Sequence, residues 1–195
     1  MKTVIIKYNA GNVQSVMYAL DRIGAGYLYT DDEAEIRSAD KVIFPGVGEA
    51  STTMNYLRKV GLDKVIPTLK QPVFGTCVGM QLMCRFSEEN STECMGIFDV
   101  DVKRFPSDTN LKVPHMGWNN ISNYKSALTY GVPDNAFVYF VHSFAPPVCD
   151  YTVAICEYVM PFSAMLQKGN FYAAQFHCEI SGDVGQKIIE NFLKI

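Results

Sequence analysis

The chain has 195 residues, of which 48% are apolar and 19% charged, enough for a full core and unlike a disordered or fibrous polymer. Its net charge of −3 gives no electrostatic reason to expect nucleic acid or an anionic membrane as a partner. No apolar run approaches the roughly 20 residues of a membrane helix, and Lys7 interrupts the first one too early for a signal-peptide core. Six cysteines, at 77, 84, 94, 149, 156 and 178, form no Cys-x-x-Cys pair. That usage fits a reducing, cytoplasmic setting and argues against both a disulfide framework and a structural metal site. No linker, composition shift or internal repeat divides the chain, so residues 1–195 read as a single domain.

In chain order, TVIIKY (3–8) reads as a β-branched first strand ended by the turn signal NAGN. Residues 13–23 follow with the apolar spacing of an amphipathic helix. Strand, glycine-containing turn and helix suggest an open parallel sheet, whose ligands sit at the carboxyl ends of the strands. The turn is too short for a phosphate-binding fingerprint, so a nucleotide-binding reading is rejected. DKVIFPGVGEAS (40–51) is a four-residue apolar strand, ended by Pro45 and running into a glycine-rich loop. In that loop the backbone N–H groups of Val47 and Gly48 are unshielded, and they can receive a developing oxyanion or simply form a strand-to-helix turn. Residues 54–58 and 62–69 read as helical.

VFGTCVGMQLMC (73–84) is a buried strand that turns at Cys77 into a helix. Gly75 and Gly79 give the spacing of a strained elbow, with the thiol at a helix N-terminus where the thiolate is favoured. Cys77 is thus either a nucleophile or a small buried core residue. The Val78 N–H after it would be another oxyanion donor. Gln81, one turn up the same face, carries an amide suited to a substrate's amino or carboxylate group. Glu89 lies in SEEN (87–90), which also reads as a solvated helix end. Residues 94–156 have shorter apolar runs and read as antiparallel strands, continuing the sheet or forming a smaller second one. Among them, VPHMGWN (113–119) reads as a turn presenting His115, Met116 and Trp118, with the tryptophan either an interface anchor or a satellite core residue. His142, on the apolar strand YFVHSF (139–144), reads as a structural histidine. FYAAQF (171–176) is a strand that ends in His177, Cys178 and Glu179. His177 and Glu179, two apart at a strand end, can address one spot as a base and its orienting carboxylate. Ser181 reads as the cap of a closing helix with apolar residues at 184, 188, 189, 192 and 193.

GTCVGMQ, followed 100 positions after the cysteine by QFHCE, resembles the class I, triad-type glutamine amidotransferases. KYNAGNVQSV, FPGVGEA, VPHMGWN and YFVHSF, in the same order, are similar to one branch of that family, the glutaminase subunits of histidine biosynthesis. The resemblance implies an α/β fold: a three-layer sandwich with a mostly parallel central sheet and a flavodoxin-like core. It implies hydrolysis of L-glutamine by Cys77, His177 and Glu179, with Val47, Gly48 and Val78 as oxyanion donors. Gly46, Gln81, Glu89 and the backbone of Ser143 and Phe144 would hold the substrate. It also implies no cofactor, and ammonia transfer to a separate TIM-barrel cyclase subunit in a heterodimer. Asn12, His115, Met116, Trp118, Tyr139 and Lys168 would face that partner, the last two at the ammonia exit. The glycine-rich loop at 45–48 would turn its backbone to complete the oxyanion hole when the partner signals.

The family pattern His-Pro-Glu-Lys is His-Cys-Glu-Ile here, at residues 177–180. Losing the proline frees φ between base and carboxylate. Cys178, on the opposite face of a strand from its neighbours, should point away from Cys77. The glutaminase of another synthase, a stand-alone cysteine hydrolase and a weakened regulatory subunit remain as alternatives.

Overall fold

A computed structural model describes residues 1–8, 13–107 and 110–195. Strands and helices alternate first: β1 (Thr3–Ile6), α1 (Gln14–Ile23), β2 (Tyr27–Thr30), α2 (Glu33–Arg37), β3 (Lys41–Phe44), α3 (Ala50–Val60), α4 (Leu62–Val65), β4 (Val73–Thr76) and α5 (Val78–Met83). Short strands follow: β5 (Cys84–Ser87), β6 (Thr92–Glu93), β7 (Phe98–Arg104), β8 (His115–Asn120), β9 (Phe137–His142) and β10 (Phe144–Ala145). The chain closes with β11 (Thr152–Glu157), β12 (Pro161–Lys168), β13 (Phe171–Ala174) and α6 (Gly182–Lys194).

The central sheet has the order β11, β12, β13, β4, β3, β1, β2. Its five strands from β13 to β2 are parallel, and β12 and β11 are added antiparallel. The parallel strands are apolar without alternation because both faces are covered. Val4 and Ile6 pack among Phe44, Met54 and Leu57 on one side, while Ile5 meets Leu20, Ile188 and Phe192 on the other. Helices α1 and α6 cover that second face, and α6 alone buries Ile188, Ile189 and Phe192, about 2 kcal/mol each. The α/β sandwich with a mostly parallel sheet is therefore the architecture observed. Chain direction across the sheet reverses between β1 and β3, so ligands are expected in the crevice beyond the carboxyl ends of these strands and their neighbours.

The region after the elbow departs from expectation. Helix α5 stops at Met83, and Cys84 begins a strand that pairs with β7. Periodicity cannot separate a short helix from a strand inside the continuous apolar run VGMQLMC. SEEN is consequently no helix end: Ser87 closes β5 and Glu89 opens a 3-10 turn. Likewise HMGWN is a strand, β8, paired along its length with β9.

Candidate active site

Cys77 links β4 to α5 with φ 48° and ψ −112°, a strained conformation for a residue bearing a Cβ. Its N–H is tied to the Ala174 carbonyl at 2.7 Å, which anchors the elbow to β13. Close backbone approaches hold it there. A Cβ on Gly79 would lie 2.2 Å from the Phe44 carbonyl oxygen, and one on Gly46 would lie 2.0 Å from both Thr76 O and Gly79 N. The glycine-rich loop after β3 is thus interlocked with the elbow, and neither position has room for a side chain. Gly46 is buried in this contact, and Gly48 beyond it takes φ 115°.

The thiol is 4% exposed. Its sulfur lies 3.8 Å from the Val141 carbonyl oxygen, and Gln175 Nε2 donates to it at 3.8 Å. His177 Nδ1 pairs with Glu179 Oε1 at 2.8 Å. Burial disfavours the imidazolium, but Cys77 and Glu179 outweigh it and push the His177 pKa up to about 10. The pair is made by a 3-10 turn, Cys178–Ile180, and not by the continued strand that the spacing suggests. The turn is itself braced: His177 N–H donates to Tyr139 O at 3.0 Å, and Arg22 reaches the Glu179 carbonyl at 3.2 Å. The Ser181 hydroxyl makes no cap bond to α6. It donates to His177 O at 2.6 Å and accepts the Tyr139 N–H at 2.9 Å. Cys178 is buried on the α1 and α6 side, away from Cys77, and all six cysteines are free.

Around this centre Gln81 spends both amide hydrogens internally, on Phe144 O at 2.9 Å and Gln175 Oε1 at 3.1 Å. Its carbonyl oxygen remains as an acceptor. The Phe144 carbonyl also accepts from His142 Nδ1 at 2.9 Å, and Ser143 O accepts from Phe105 N at 2.9 Å. The Ser143–Phe144 backbone is therefore fixed from three sides. Glu89, half-buried, accepts the Ala50 N–H at 2.8 Å at the start of α3, close to the glycine-rich loop.

The partner-facing group divides. Met116 and Trp118 are 63% and 55% exposed on one face of β8, with Tyr139 edge-on to Trp118 at 5.8 Å. His115, on the other face, is buried: it stacks on Tyr158 at 3.9 Å and bonds His142 at 3.1 Å, so it belongs to the interior. Lys168 is displaced altogether. Its register partner is Phe171, at the amino end of β13, whereas Cys77 follows the carboxyl end of β4. Just before the turn at Gly169, it sits at the end of the sheet opposite Cys77, where Nζ donates to Ile97 O at 2.7 Å. Lys168 therefore cannot share an ammonia exit with Tyr139. Asn12 lies outside the described residues. Two participants went unnoticed in the sequence, Gln175, two before His177, and Tyr8, whose hydroxyl meets the glycine-rich loop; Ser181, four after His177, was read only as a helix cap. Among the described residues no cluster of three or more His, Cys, Asp or Glu is arranged to hold a metal ion.

A thiol on a strained elbow, beside a buried imidazole with its own carboxylate, is the arrangement that cysteine acyl-transfer chemistry calls for. The sequence profile of the glutamine amidotransferase class-I family matches residues 5–195, and the chain belongs to that family. It is 58% identical, over the full length of both chains, to "Imidazole glycerol phosphate synthase subunit HisH" of Bacteroides thetaiotaomicron. It is 43% identical to "Imidazole glycerol phosphate synthase subunit HisH 2" of Legionella pneumophila strain Paris, over 98% of this chain and 96% of the relative. A putative GMP synthase subunit from Thermoplasma acidophilum shares the fold, with TM-score 0.75 and 21% identity over 100% of this chain and 93% of that one.

Proposed function

We propose that the chain is the glutaminase subunit of an imidazole glycerol phosphate synthase and supplies ammonia for histidine biosynthesis. The observation that carries the chemistry is the 2.8 Å His177–Glu179 pair set against Cys77 at the elbow. The Cys77 sulfur attacks the side-chain amide carbon of L-glutamine as His177 takes its proton. The negative charge that develops on the amide oxygen is held by backbone N–H groups of Val47, Gly48 and Val78. His177 then protonates the departing nitrogen, and ammonia leaves a cysteinyl thioester. Water, deprotonated by His177, attacks the thioester, and glutamate is released with the thiol restored. Glu179 keeps the proton on Nδ1 and stabilises the imidazolium between these steps. Gln81, Glu89 and the Ser143–Phe144 backbone orient the amino-acid end of the substrate.

As one component of a synthase the chain works with a partner, which we take to be a TIM-barrel cyclase joined in a heterodimer. The exposed Met116, Trp118 and Tyr139 face supports this, because Tyr139 is also bonded through its backbone to His177 and Ser181. The whole chain, 1–195, is proposed to act as one amidotransferase domain. None of the described helices is long and apolar enough to cross a membrane. The proposed setting is the cytoplasm.

The test is ammonia release from glutamine by the purified chain, alone and with a cyclase partner plus its ribonucleotide ligand, with Cys77→Ala as control. Weak activity alone and strong stimulation in the complex support the reading. Full activity alone would indicate a stand-alone hydrolase, and silence in both would indicate a regulatory subunit.

A further inference from the structure

Strands β1 and β3 are parallel neighbours, with Ile5 opposite Ile43, so the residues just past their ends meet. Two residues beyond β1 is Tyr8, and past the end of β3 is the glycine-rich loop. Tyr8 is 4% exposed, and its ring packs at a tilt against Phe44, 5.6 Å between centroids. Its hydroxyl donates to the Pro45 carbonyl and accepts the Val47 N–H at 3.4 Å. Tyr8 and Cys77 belong to the same apolar cluster.

The loop is clamped at one end and loose at the other. Gly46 is wedged into the elbow, whereas a Cβ on Gly48 would find its nearest neighbour at 3.9 Å. The room to turn therefore lies at the peptide groups around Val47 and Gly48, not at Gly46. An N–H directed at a phenol oxygen is not directed at a substrate oxyanion. Burial pushes the Tyr8 pKa up, so the phenol stays neutral and keeps donating to Pro45.

We propose that Tyr8 is a positioning residue: its hydroxyl holds the Val47 N–H in a resting orientation, and releasing that bond lets the amide join the oxyanion hole. The inference rests on the partner-stimulated glutaminase reading. The 3.4 Å bond is long for its type, as a bond that must break in each activation should be. A loop held by one such bond can be shifted by a partner of modest differential affinity.

Tyr8→Phe removes the hydroxyl and keeps the ring. Glutamine hydrolysis is measured in the reconstituted complex with and without the ribonucleotide ligand. The unstimulated kcat should rise about five-fold, the worth of one neutral hydrogen bond, with KM and stimulated kcat little changed. The stimulation ratio then falls about five-fold. Because the ratio is taken within one preparation, partial unfolding does not alter it. Phe44→Leu, which loosens the same packing without touching the bond, should leave the ratio alone. A ratio in Tyr8→Phe equal to or above the wild-type value overturns the proposal while the glutaminase reading stands. A wild-type complex that is not stimulated at all overturns that reading, and this inference with it.

Discussion

His177 Nδ1 lies 2.8 Å from Glu179 Oε1, and both side chains are sealed from water, with 10% and 5% of their surfaces exposed. The second carboxylate oxygen is buried without a hydrogen-bond partner among the described residues, so the charge is directed at the imidazole. Glu179→Gln preserves the shape but removes that charge and lets the amide donate, which favours the wrong tautomer. The kcat for glutamine should fall by roughly two to four orders of magnitude, with KM nearly unchanged. Steady-state ammonia release measures both, and a loss confined to KM would remove Glu179 from the proposed triad.

The other two histidines are buried, and neither makes an ion pair with a carboxylate among the described residues. Desolvation lowers the pKa of His115 to about 4; for His142, burial leads and a value of about 3 results. The donors run in one direction: Asn119 to His115, His115 to His142, and His142 to the Phe144 carbonyl. The unfolded chain takes up these protons below about pH 6.5 and the folded chain does not, so stability falls as pH falls. Each histidine contributes a slope of ~1.4 kcal/mol per pH unit between about 6.5 and its folded value. His177 is shifted upward, so its contribution is complete below 6.5 and is lost as pH rises towards 10; it adds nothing to the acid slope. Urea unfolding of wild type and His142→Gln at pH 7.5, 6.0 and 5.0 should show a shallower acid limb in the variant. Equal slopes would contradict the buried neutral pair.

The parallel sheet could be read from sequence because its strands are continuous apolar runs, and the elbow because Gly75 and Gly79 bracket one cysteine. The nearness of His177 and Glu179 was readable, but not the 3-10 turn that makes it, since a two-residue spacing fits a strand equally well. Strand β8 was hidden by Gly117 and the flanking asparagines and proline, which read as a turn until β9 pairs with them. Lys168 was misplaced because the reversal at Gly169 separates residues that look adjacent to the site in sequence. Tyr8 ends an ordinary apolar strand, and nothing marks it until the reversal between β1 and β3 lays it against Pro45.

The interlock between loop and elbow has a direct stability test. Gly46→Ala places a Cβ 2.0 Å from two backbone atoms, which cannot rotate aside as a side chain would. The variant should lose more than ~3 kcal/mol or fail to accumulate as folded protein. A Cβ added at Gly26 would meet nothing within 4 Å, and the backbone φ there is not in the left-handed region. Gly26→Ala should therefore be neutral or up to ~1 kcal/mol more stable. Thermal unfolding distinguishes the two, and similar melting temperatures would refute the close packing.

Cys178 stands where the family pattern has proline, yet the backbone around it already suits that residue. His177 has φ −88° and ψ 95°, extended backbone outside the α region that a following proline disfavours. Cys178 is the first residue of its turn, where a missing N–H is tolerated. The side chain is 1% exposed, and burial, followed by the Glu179 charge, raises its pKa well above the usual thiol value. Under brief alkylation of the folded chain, Cys77 should be modified while Cys178, Cys84 and Cys156 are spared until the protein is unfolded; mass spectrometry of peptides reads this directly. Cys178→Pro should keep or raise turnover, because fixing φ in the turn narrows the excursions of Glu179 relative to His177. A ten-fold loss of kcat in a stably folded Cys178→Pro variant would show that this chain has adapted its turn to cysteine.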